Sequence, residues 1–454
     1  MYKISRYVYI SQREINLESI KYKFVFSCRS GRLLLLKTEE CDTILNESLS
    51  FLDETKKNKL IENKILVSEQ ENEFEALVQE NQDYLENKNK DLLYISIQPT
   101  AYCQLGCYYC GQEHEKVNIS NATIDNLMLR INKIYKPNQH KILLIGWFGG
   151  EPLLALKEIE LITNKLRDFC KVNNLVYSSK IVTNGVRLTP DVYIKLVKEL
   201  DVKKIEITID GTADFHDKRR ITKSGKGSFM KIYNNLLHAV ELNKEYNCTL
   251  SVRCNVDKYN YDGVIPLLRK MASDQLQDKI FFYIACVYSW ALNGAAENVS
   301  MQEFSNLEIN VLLEMNRLKF KGMSILPSRH YQSCLATSSE SEMYDALGYI
   351  YDCSETSYAK CYQKTGLVLG NVNSNKNIKR SVLSKKFENL SKGNYPECTK
   401  CNIFPLCMGG CPKALHENAY PCPSFKYNLE DRLKLYYILL NSDFSTFNEA
   451  INNL

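Results

Sequence analysis

The chain has 454 residues, of which 44% are hydrophobic and 24% are charged, and its formal net charge is +5. This length predicts two or three domains, and the composition is that of a globular protein rather than a disordered or fibrous one. No apolar run approaches the ~20 residues that cross a bilayer, and the N-terminus lacks the apolar core of a secretory signal. We therefore expect a cytoplasmic protein with no membrane and no nucleic-acid partner, and few of its 17 cysteines in disulfides.

Residues 1–67 are predicted to form a small α+β unit. Its expected elements are strands at 6–10, 22–26 and 32–37, a helix at 39–49, a second short helix, and a strand at 65–67. This order of elements resembles the winged-helix precursor-recognition element fused to many peptide-modifying enzymes, although no diagnostic residue supports it. An ordinary capping unit is the alternative. Residues 68–91 are highly polar and are predicted to be a solvated helical linker.

From residue 92 to about 320 the chain alternates predicted strands and helices. The strands are expected at Leu92–Gln98, Lys141–Trp147, Ser178–Thr183, Lys204–Ile209, Leu250–Val256 and Lys279–Ala285. The amphipathic helices between them include Asn121–Tyr135, Glu158–Val172, Pro190–Glu199 and Ser228–Asn243. Six βα units with parallel strands predict an α/β fold, an open or partial (β/α)6 barrel, whose ligands bind at the C-terminal ends of the strands.

Residues 330–426 do not show this alternation of strands and helices, and they are rich in Cys, Ser, Asn, Gly and Pro. A segment with so little apolar periodicity needs metal to stabilise its fold. Residues 427–454 begin with a predicted amphipathic helix, which we expect to end near Leu440.

Three cysteines, Cys103, Cys107 and Cys110, follow the first predicted barrel strand with the spacing C-x3-C-x2-C. Three thiolates this close can bind three irons of one cubane cluster and leave the fourth iron without a protein ligand. An open coordination position distinguishes catalytic metal sites from structural ones. A zinc knuckle and a redox-active thiol pair are the alternatives.

This cysteine motif resembles the signature of the radical SAM enzymes. The resemblance implies that S-adenosylmethionine chelates the open iron through its amino and carboxylate groups. It also implies that one electron, from a donor such as flavodoxin or ferredoxin, breaks an S–C bond of this cofactor and releases a 5′-deoxyadenosyl radical. Cys103, Cys107 and Cys110 are then the catalytic residues.

Other segments resemble the cofactor-binding positions of the same family. Gly149, Gly150 and Glu151 follow the second strand, where the family binds the methionine amine, and Tyr109 matches the aromatic position beside adenine.

Three further positions match the family in order and spacing. Thr208 ends the fourth strand at the position that contacts ribose, and Arg220 stands where a family arginine pairs with the cofactor carboxylate. Asn255 ends the fifth strand and is expected to be a polar contact. The resemblance with specific motifs covers residues 92 to about 430.

The C-terminal cysteines follow the pattern C-x13-G-x4-C … C-x2-C-x5-C-x3-C … C. This pattern resembles the SPASM domain, which holds two auxiliary 4Fe–4S clusters, so the chain is expected to carry three clusters. By family pattern, the distal cluster is held by Cys398, Cys401, Cys407 and Cys422. The nearer cluster is held by Cys334, Cys353 and Cys411. Zinc is the alternative, since C-x2-C pairs are common zinc ligands.

The nearer auxiliary cluster is one ligand short in this assignment. Cys361 lies eight residues past Cys353 and is the favoured fourth ligand. Cys286, at the end of the sixth strand, is a second candidate, and an open iron is the third alternative.

The resemblance implies hydrogen abstraction from a peptide. The main expectation is maturation of a ribosomally made precursor peptide, with a thioether or another crosslink as product and the leader bound by residues 1–67. The alternative is an anaerobic sulfatase-maturating enzyme, which oxidises Cys or Ser to formylglycine. That group places an aspartate directly after the second SPASM cysteine, whereas here Ser354 follows Cys353 and Asp352 precedes it. A non-catalytic metal-binding interaction protein is the alternative from another class.

Overall fold

The computed structural model describes residues 1–441 apart from 47–48, 89, 289–296, 332–333, 339, 359–361, 363–364, 375, 380–381, 392–393 and 418–421. The candidate ligand Cys361 lies outside the described residues. The chain divides into two compact units. One unit comprises residues 1–87, 324–337 and the chain from 385 onward, and the other comprises residues 88–323 and 338–384.

The N-terminal segment forms small antiparallel sheets and three helices. Its elements are β1 (Tyr2–Ile4), β2 (Val8–Ile10), β3 (Ile15–Leu17), β4 (Ile20–Ser27), β5 (Arg32–Lys37), α1 (Thr38–Leu45), α2 (Glu54–Glu62), β6 (Leu66–Ser68) and α3 (Glu73–Lys88). Strand β4 pairs with β2, β3 and β5, and β1 pairs with β6. The predicted strands and helices of this segment are confirmed, although β1 and β3 were not expected.

Helix α3 differs from the solvated linker that its polar sequence predicts. Leu77 is fully buried and Asn81 is 2% exposed. Glu73 is also buried, and its carboxylate accepts a 3.0 Å hydrogen bond from the backbone N–H of Arg6. The helix was correctly predicted, but its solvation was not, because one face of this acidic segment packs into a core.

The second unit contains the alternating strands and helices. Its elements are β7 (Leu92–Ile97), α4 (Asn121–Ile134), β8 (Ile142–Trp147), α5 (Leu156–Asn173), β9 (Val176–Thr183), α6 (Pro190–Ile194), β10 (Val202–Thr208), α7 (Ala213–Arg219), α8 (Phe229–Leu242), β11 (Thr249–Val256), α9 (Val264–Ser273), β12 (Phe281–Cys286) and α10 (Met301–Arg317). The six strands are parallel neighbours in the order β12-β11-β10-β9-β8-β7, which confirms the partial (β/α)6 barrel.

The barrel core follows from the apolar periodicity of these strands and helices. Ile95, Ile145 and Val252 of the strands are fully buried, as are Leu127 and Leu236 of the surrounding helices. Parallel strands bring their carboxyl ends to one edge of the sheet, so the loops after β7, β8, β9, β10 and β11 lie together there. All residues predicted to bind S-adenosylmethionine belong to these loops or strand ends.

Three short strands extend this sheet beyond β7. They are β13 (Ser341–Tyr344), β14 (Tyr349–Tyr351) and β15 (Gly370–Asn371), and β13 runs parallel to β7. The turn between β13 and β14 contains Gly348, whose φ of 82° is a left-handed conformation. Gly348 is the glycine of the C-x13-G-x4-C pattern. The pattern therefore includes a turn whose left-handed conformation favours glycine.

The C-terminal segment consists of short helices and one long helix. They are α11 (Lys386–Ser391), α12 (Pro396–Thr399), α13 (Phe404–Cys407), α14 (Pro412–His416) and α15 (Phe425–Asn441), the last of which confirms the predicted closing helix. This segment shares one hydrophobic core with the N-terminal segment. The core contains Tyr7, Phe24, Phe26, Leu77, Phe404, Leu406 and Leu433. No helix in the described part of the chain is long and apolar enough to span a membrane.

Candidate active site and cysteine clusters

The loop after β7 carries Cys103, Cys107 and Cys110. Cys103 is 6% exposed, and the other two are partly buried. The loop is fixed by a 2.8 Å hydrogen bond from the N–H of Gly106 to the carbonyl of Ile221. Burial raises the pKa of Cys103 to about 12 and that of Cys107 to about 11. A bound metal ion would stabilise their thiolates against this effect of burial.

The loop after β8 approaches the cysteine loop closely because it contains two glycines. A Cβ atom on Gly150 would lie 2.5 Å from the carbonyl oxygen of Tyr102. Gly149 has a φ of 103°, and its Cβ would lie 2.8 Å from Cβ of Gln98. The N–H of Glu151 donates a 2.9 Å hydrogen bond to the carbonyl of Tyr102. Only glycine permits this contact between the two loops.

Glu151 is fully buried and links the ends of β8 and β9. One of its oxygens accepts hydrogen bonds from Thr183 Oγ1 at 2.6 Å and from the N–H of Leu153 at 3.0 Å. The other accepts from the N–H of Asn184 at 2.7 Å. Burial raises the pKa of Glu151 despite these donors. A carboxylate offers about four acceptor positions, so one remains for an ammonium group.

Tyr109, Arg220 and Asn255 converge on one hydrogen-bond network. The Tyr109 hydroxyl donates to Asp210 at 2.5 Å and accepts from Arg220 Nη1 at 2.6 Å and from Asn255 Nδ2 at 3.2 Å. Although burial opposes it, Arg219 and Arg220 hold the pKa of Asp210 below its usual range. Nε of Arg220 is buried and has no hydrogen-bond partner among the described residues. Arg220 therefore keeps a donor for a carboxylate.

Two residues of this region, Asp210 and Arg219, were not predicted from the sequence to belong to the site. Asp210 holds Tyr109 and also accepts a 2.9 Å hydrogen bond from the N–H of Asn255. Arg219 donates to the Asn255 carbonyl and to Asp257, both at 2.8 Å. Both residues lie in polar segments that follow buried strands, and this position in the sequence could have indicated their role.

Thr208 is the last residue of β10 and is 7% exposed. It pairs in register with Arg253 of β11, so it lies at the same edge of the sheet as Asn255. The predicted cofactor residues thus lie at neighbouring strand ends, and the donor and acceptor set fits S-adenosylmethionine. The Glu151 carboxylate would accept from its ammonium, and Arg220 would donate to its carboxylate.

The four cysteines assigned to the distal auxiliary cluster line one cavity of about 300 Å³. They are Cys398, Cys401, Cys407 and Cys422. Nζ of Lys426 also borders this cavity and donates to Sγ of Cys422 at 3.2 Å. Four soft thiolates around one cavity, with a cation beside them, fit an iron–sulfur cluster.

Two of the cysteines assigned to the nearer cluster are close in one unit. Cys334 and Cys411 lie in the unit with the N-terminal segment, where burial raises the pKa of Cys334 and Cys411 acts in the same direction. Cys353 lies in the barrel unit, directly after β14 and Asp352. The segment after Cys353 contacts the segment after Cys110, because the N–H of Glu113 donates a 2.8 Å hydrogen bond to the carbonyl of Tyr358.

Cys286, the other candidate ligand, is partly buried at the end of β12. No group of three or more histidine, cysteine, aspartate or glutamate side chains in the described ranges is close enough to hold a single metal ion.

Residues 97–270 match the model of the Radical SAM superfamily. The chain is 25% identical over 376 residues to a cysteine-type anaerobic sulfatase-maturating enzyme of Clostridium novyi, covering 75% of this chain and 95% of that enzyme. It is 24% identical over 365 residues to the cysteine-type anaerobic sulfatase-maturating enzyme of Clostridium perfringens, covering 74% of this chain and 94% of that enzyme.

Among solved structures, native anSMEcpe with bound AdoMet and Cp18Cys peptide superimposes with a TM-score of 0.52 at 18% identity, covering 77% of this chain and 99% of that one. This likeness supports the partial-barrel fold. Together with the cysteine loop after β7, the family match shows that residues 97–270 are a radical SAM domain.

Proposed function

We propose that this enzyme oxidises a cysteine or serine side chain of a peptide or protein substrate to formylglycine. The observation that carries this proposal is its similarity to cysteine-type anaerobic sulfatase-maturating enzymes over nearly their whole length. The comparisons favour this reaction over peptide crosslinking, which was the main expectation from the sequence. The match to an enzyme superfamily also argues against a non-catalytic interaction protein.

The catalytic cluster and S-adenosylmethionine, when bound, supply a radical that removes a hydrogen atom from carbon. In this proposal Cys103, Cys107 and Cys110 hold the cluster. Gly149, Gly150 and Glu151 receive the amino group of the cofactor, and Arg220 receives its carboxylate.

The remaining pocket residues position the adenosyl part of S-adenosylmethionine. Tyr109 is held by Asp210 and Asn255, and its ring would lie beside the adenine. Thr208, at the neighbouring strand end, would contact the ribose.

Oxidation of the substrate side chain by two electrons requires an acceptor for the second electron. We assign this role to two auxiliary clusters, the distal one on Cys398, Cys401, Cys407 and Cys422. The nearer one is on Cys334, Cys353 and Cys411, with Cys361 as the expected fourth ligand. The cavity that the four distal cysteines share supports the first assignment.

The residues beside Cys353 differ from those expected of a sulfatase-maturating enzyme. Ser354 stands where that group has an aspartate. Asp352 precedes the cysteine instead, is 6% exposed, and neither of its carboxylate oxygens has a hydrogen-bond partner among the described residues. A buried carboxylate without such partners is costly in free energy, so we infer that it serves a ligand or the substrate.

The second candidate function is formation of a thioether or another crosslink in a leader-bearing precursor peptide. Ser354 in place of the aspartate supports it, as does the N-terminal segment with its four-stranded sheet. Strand β5 lies at an edge of this sheet and pairs only with β4 in the described part of the chain. An extended leader peptide can add to such an edge.

Iron content tests the cluster assignment. Anaerobically reconstituted enzyme should hold about 12 irons per chain, in three clusters of four. Replacing Cys103, Cys107 and Cys110 with alanine should remove about four irons and abolish cleavage of S-adenosylmethionine. Formation of 5′-deoxyadenosine by the triple variant under dithionite would overturn the assignment of these cysteines.

Product mass distinguishes the two candidate reactions. The reduced enzyme is incubated with a cysteine-containing sulfatase-derived peptide, its serine and alanine counterparts, and any short peptide encoded beside this gene. Formylglycine formation from cysteine replaces the sulfur with oxygen and removes two hydrogens, whereas thioether formation removes two hydrogens and retains the sulfur. A thioether as the only product would overturn the first proposal and support the second.

A further inference from the structure

Lys386 is buried among the cysteines of the C-terminal segment. It is the first residue of α11 and only 3% of its surface is exposed. Burial lowers the pKa of its ammonium to about 8, while Cys334, Cys407, Cys411 and Cys398 act in the opposite direction. A buried ammonium is costly in free energy unless negative charge compensates it.

The chain between Cys407 and Cys411 bends around the end of this lysine. Met408, Gly409 and Gly410 have φ angles of 47°, 79° and 67°, so three successive residues are left-handed. The Gly410 carbonyl thereby accepts a 2.6 Å hydrogen bond from Nζ of Lys386. A Cβ on Gly409 would lie 3.3 Å from Cε of Lys386, so the glycine provides room for the side chain.

Gly410, which accepts the hydrogen bond of Lys386, lies beside one cysteine of each proposed auxiliary cluster. It directly precedes Cys411, and its N–H donates a 2.9 Å hydrogen bond to the carbonyl of Cys407. Cys334 and Cys411 are assigned to the nearer cluster, and Cys398 and Cys407 to the distal one. Lys386 and these four cysteines belong to one compact unit.

We propose that Lys386 is a positioning residue whose single positive charge is shared by both auxiliary clusters and raises the reduction potential of each. This inference depends on the cluster assignment made under Proposed function. A cluster becomes more negative when it gains an electron, so a nearby cation stabilises its reduced form, and net charge is a known determinant of cluster potential. The shared cation therefore favours electron acceptance by both clusters.

The test uses the full chain with Cys103, Cys107 and Cys110 replaced by alanine, because its spectra then report only the auxiliary clusters. Lys386→Met removes the charge at similar length, and Lys386→Arg keeps it. Lys434→Met is the matched control, since Lys434 is a 7% exposed lysine of the same unit whose charged neighbours are Arg13, Glu430 and Asp431. Potentials are measured by redox titration with electron paramagnetic resonance.

Lys386→Met should lower the midpoint potentials of both clusters. We expect the ratio of reduced to oxidised cluster at a fixed potential to fall about tenfold, which corresponds to about 59 mV for one electron. Lys386→Arg and Lys434→Met should leave both potentials near those of the parent. Unchanged potentials in Lys386→Met, a shift in only one cluster, or an equal shift in Lys434→Met would overturn the proposal.

The iron content of the parent and its variants shows whether the proposed role of Lys386 or the cluster assignment itself is wrong. The parent triple variant should retain about eight irons in two clusters. A parent without auxiliary iron would overturn both proposals, whereas a fully loaded parent with an unshifted Lys386→Met overturns only this one. If Lys386→Met folds but loses both clusters while Lys386→Arg keeps them, the shared charge is supported. Loss of iron from both variants would show that Lys386 acts through packing.

Discussion

The side-chain amide of Asn184 lies 3.6 Å from Sγ of Cys103 and donates a hydrogen bond to it. The backbone N–H of the same Asn184 is bonded to Glu151. One residue thus connects a cysteine assigned to the catalytic cluster with the carboxylate assigned to the amino group of S-adenosylmethionine.

Glu151→Gln should weaken binding of S-adenosylmethionine without loss of iron. The amide has no negative charge for the ammonium, and a hydrogen bond to a charged group contributes about 1.5–3 kcal/mol, so the affinity should fall roughly 10- to 100-fold. Anaerobic titration calorimetry and iron analysis measure both effects. Asn184→Ala is the control, because it removes the contact with Cys103 but leaves the Glu151 carboxylate. If both variants weaken binding equally, Glu151 acts only through Asn184.

Arg220 and Arg219 are adjacent, but we expect substitution of Arg220 to lower cofactor affinity and substitution of Arg219 to lower thermal stability. Arg220→Ala should lower the affinity for S-adenosylmethionine roughly 10- to 100-fold, because a charge-assisted partner of the carboxylate disappears. Arg219 donates instead to Asp257 and the Asn255 carbonyl, so Arg219→Lys should mainly lower thermal stability. Equal affinity in Arg220→Ala and the parent enzyme would remove Arg220 from the cofactor site.

Gly348 should be irreplaceable in the turn between β13 and β14. A Cβ there would lie 2.7 Å from Asn373 Nδ2, in addition to the cost of a φ of 82°. Gly366 has a φ of 79° but no atom of a described residue within 4 Å of its Cβ position, so Gly366→Ala measures the backbone cost alone. We expect Gly348→Ala to lose more free energy of unfolding than Gly366→Ala, whose cost should be about 1–3 kcal/mol. Denaturant unfolding of both variants gives the comparison, which equal losses would contradict.

Deletion of residues 1–67 should remove iron from the C-terminal cysteines. From the sequence alone, such a deletion is expected to impair only modification of a leader-bearing substrate. Tyr7, Phe24 and Phe26, however, share a core with Phe404 and Leu406, which border or lie near the distal cysteines.

The deletion variant should therefore lose about four irons of the distal cluster and keep the catalytic cluster. Tyr9→Phe, which loses only the 3.0 Å hydrogen bond to Glu430, is the control and should keep all its iron. A deletion variant with full auxiliary iron would show that the segment is separable.

Replacement of Cys361 tests the fourth ligand of the nearer cluster. If Cys361 is that ligand, Cys361→Ala should change the electron-paramagnetic signal of one auxiliary cluster and cause partial loss of iron. Cys286→Ala is the matched control at the other candidate position. An unchanged spectrum in Cys361→Ala would favour an open iron that can bind a substrate thiolate.

The barrel could be predicted because its strands and helices have regular apolar patterns. Leu92–Ile97 and Thr249–Val256 lie within two residues of their predicted bounds. Strand β13, with the sequence Ser-Glu-Met-Tyr, is too short and polar to be recognised, and only its pairing with β7 makes it a strand. Short strands of this kind depend on a neighbour that periodicity does not reveal.

The candidate site was predicted from spacing, but its supporting residues were not. Cysteine spacing identifies metal ligands because the geometry of a cluster limits it. The roles of Asp210 and Lys386 depend on contacts between segments far apart in sequence, such as the hydrogen bond from Lys386 to Gly410. A lysine is ordinarily a surface residue, so nothing in its local sequence indicates burial.

The shared core of the first and last segments has a consequence during synthesis of the chain. Tyr7, Phe24 and Leu77 are made first, but the segment that covers them begins roughly 300 residues later. At about 5–20 residues per second, the ribosome takes on the order of 15–60 s to reach it. Throughout this interval the nascent N-terminal strands expose an incomplete apolar face while the barrel can already fold. Slow translation of the barrel therefore prolongs the period in which this apolar face is exposed and prone to aggregation.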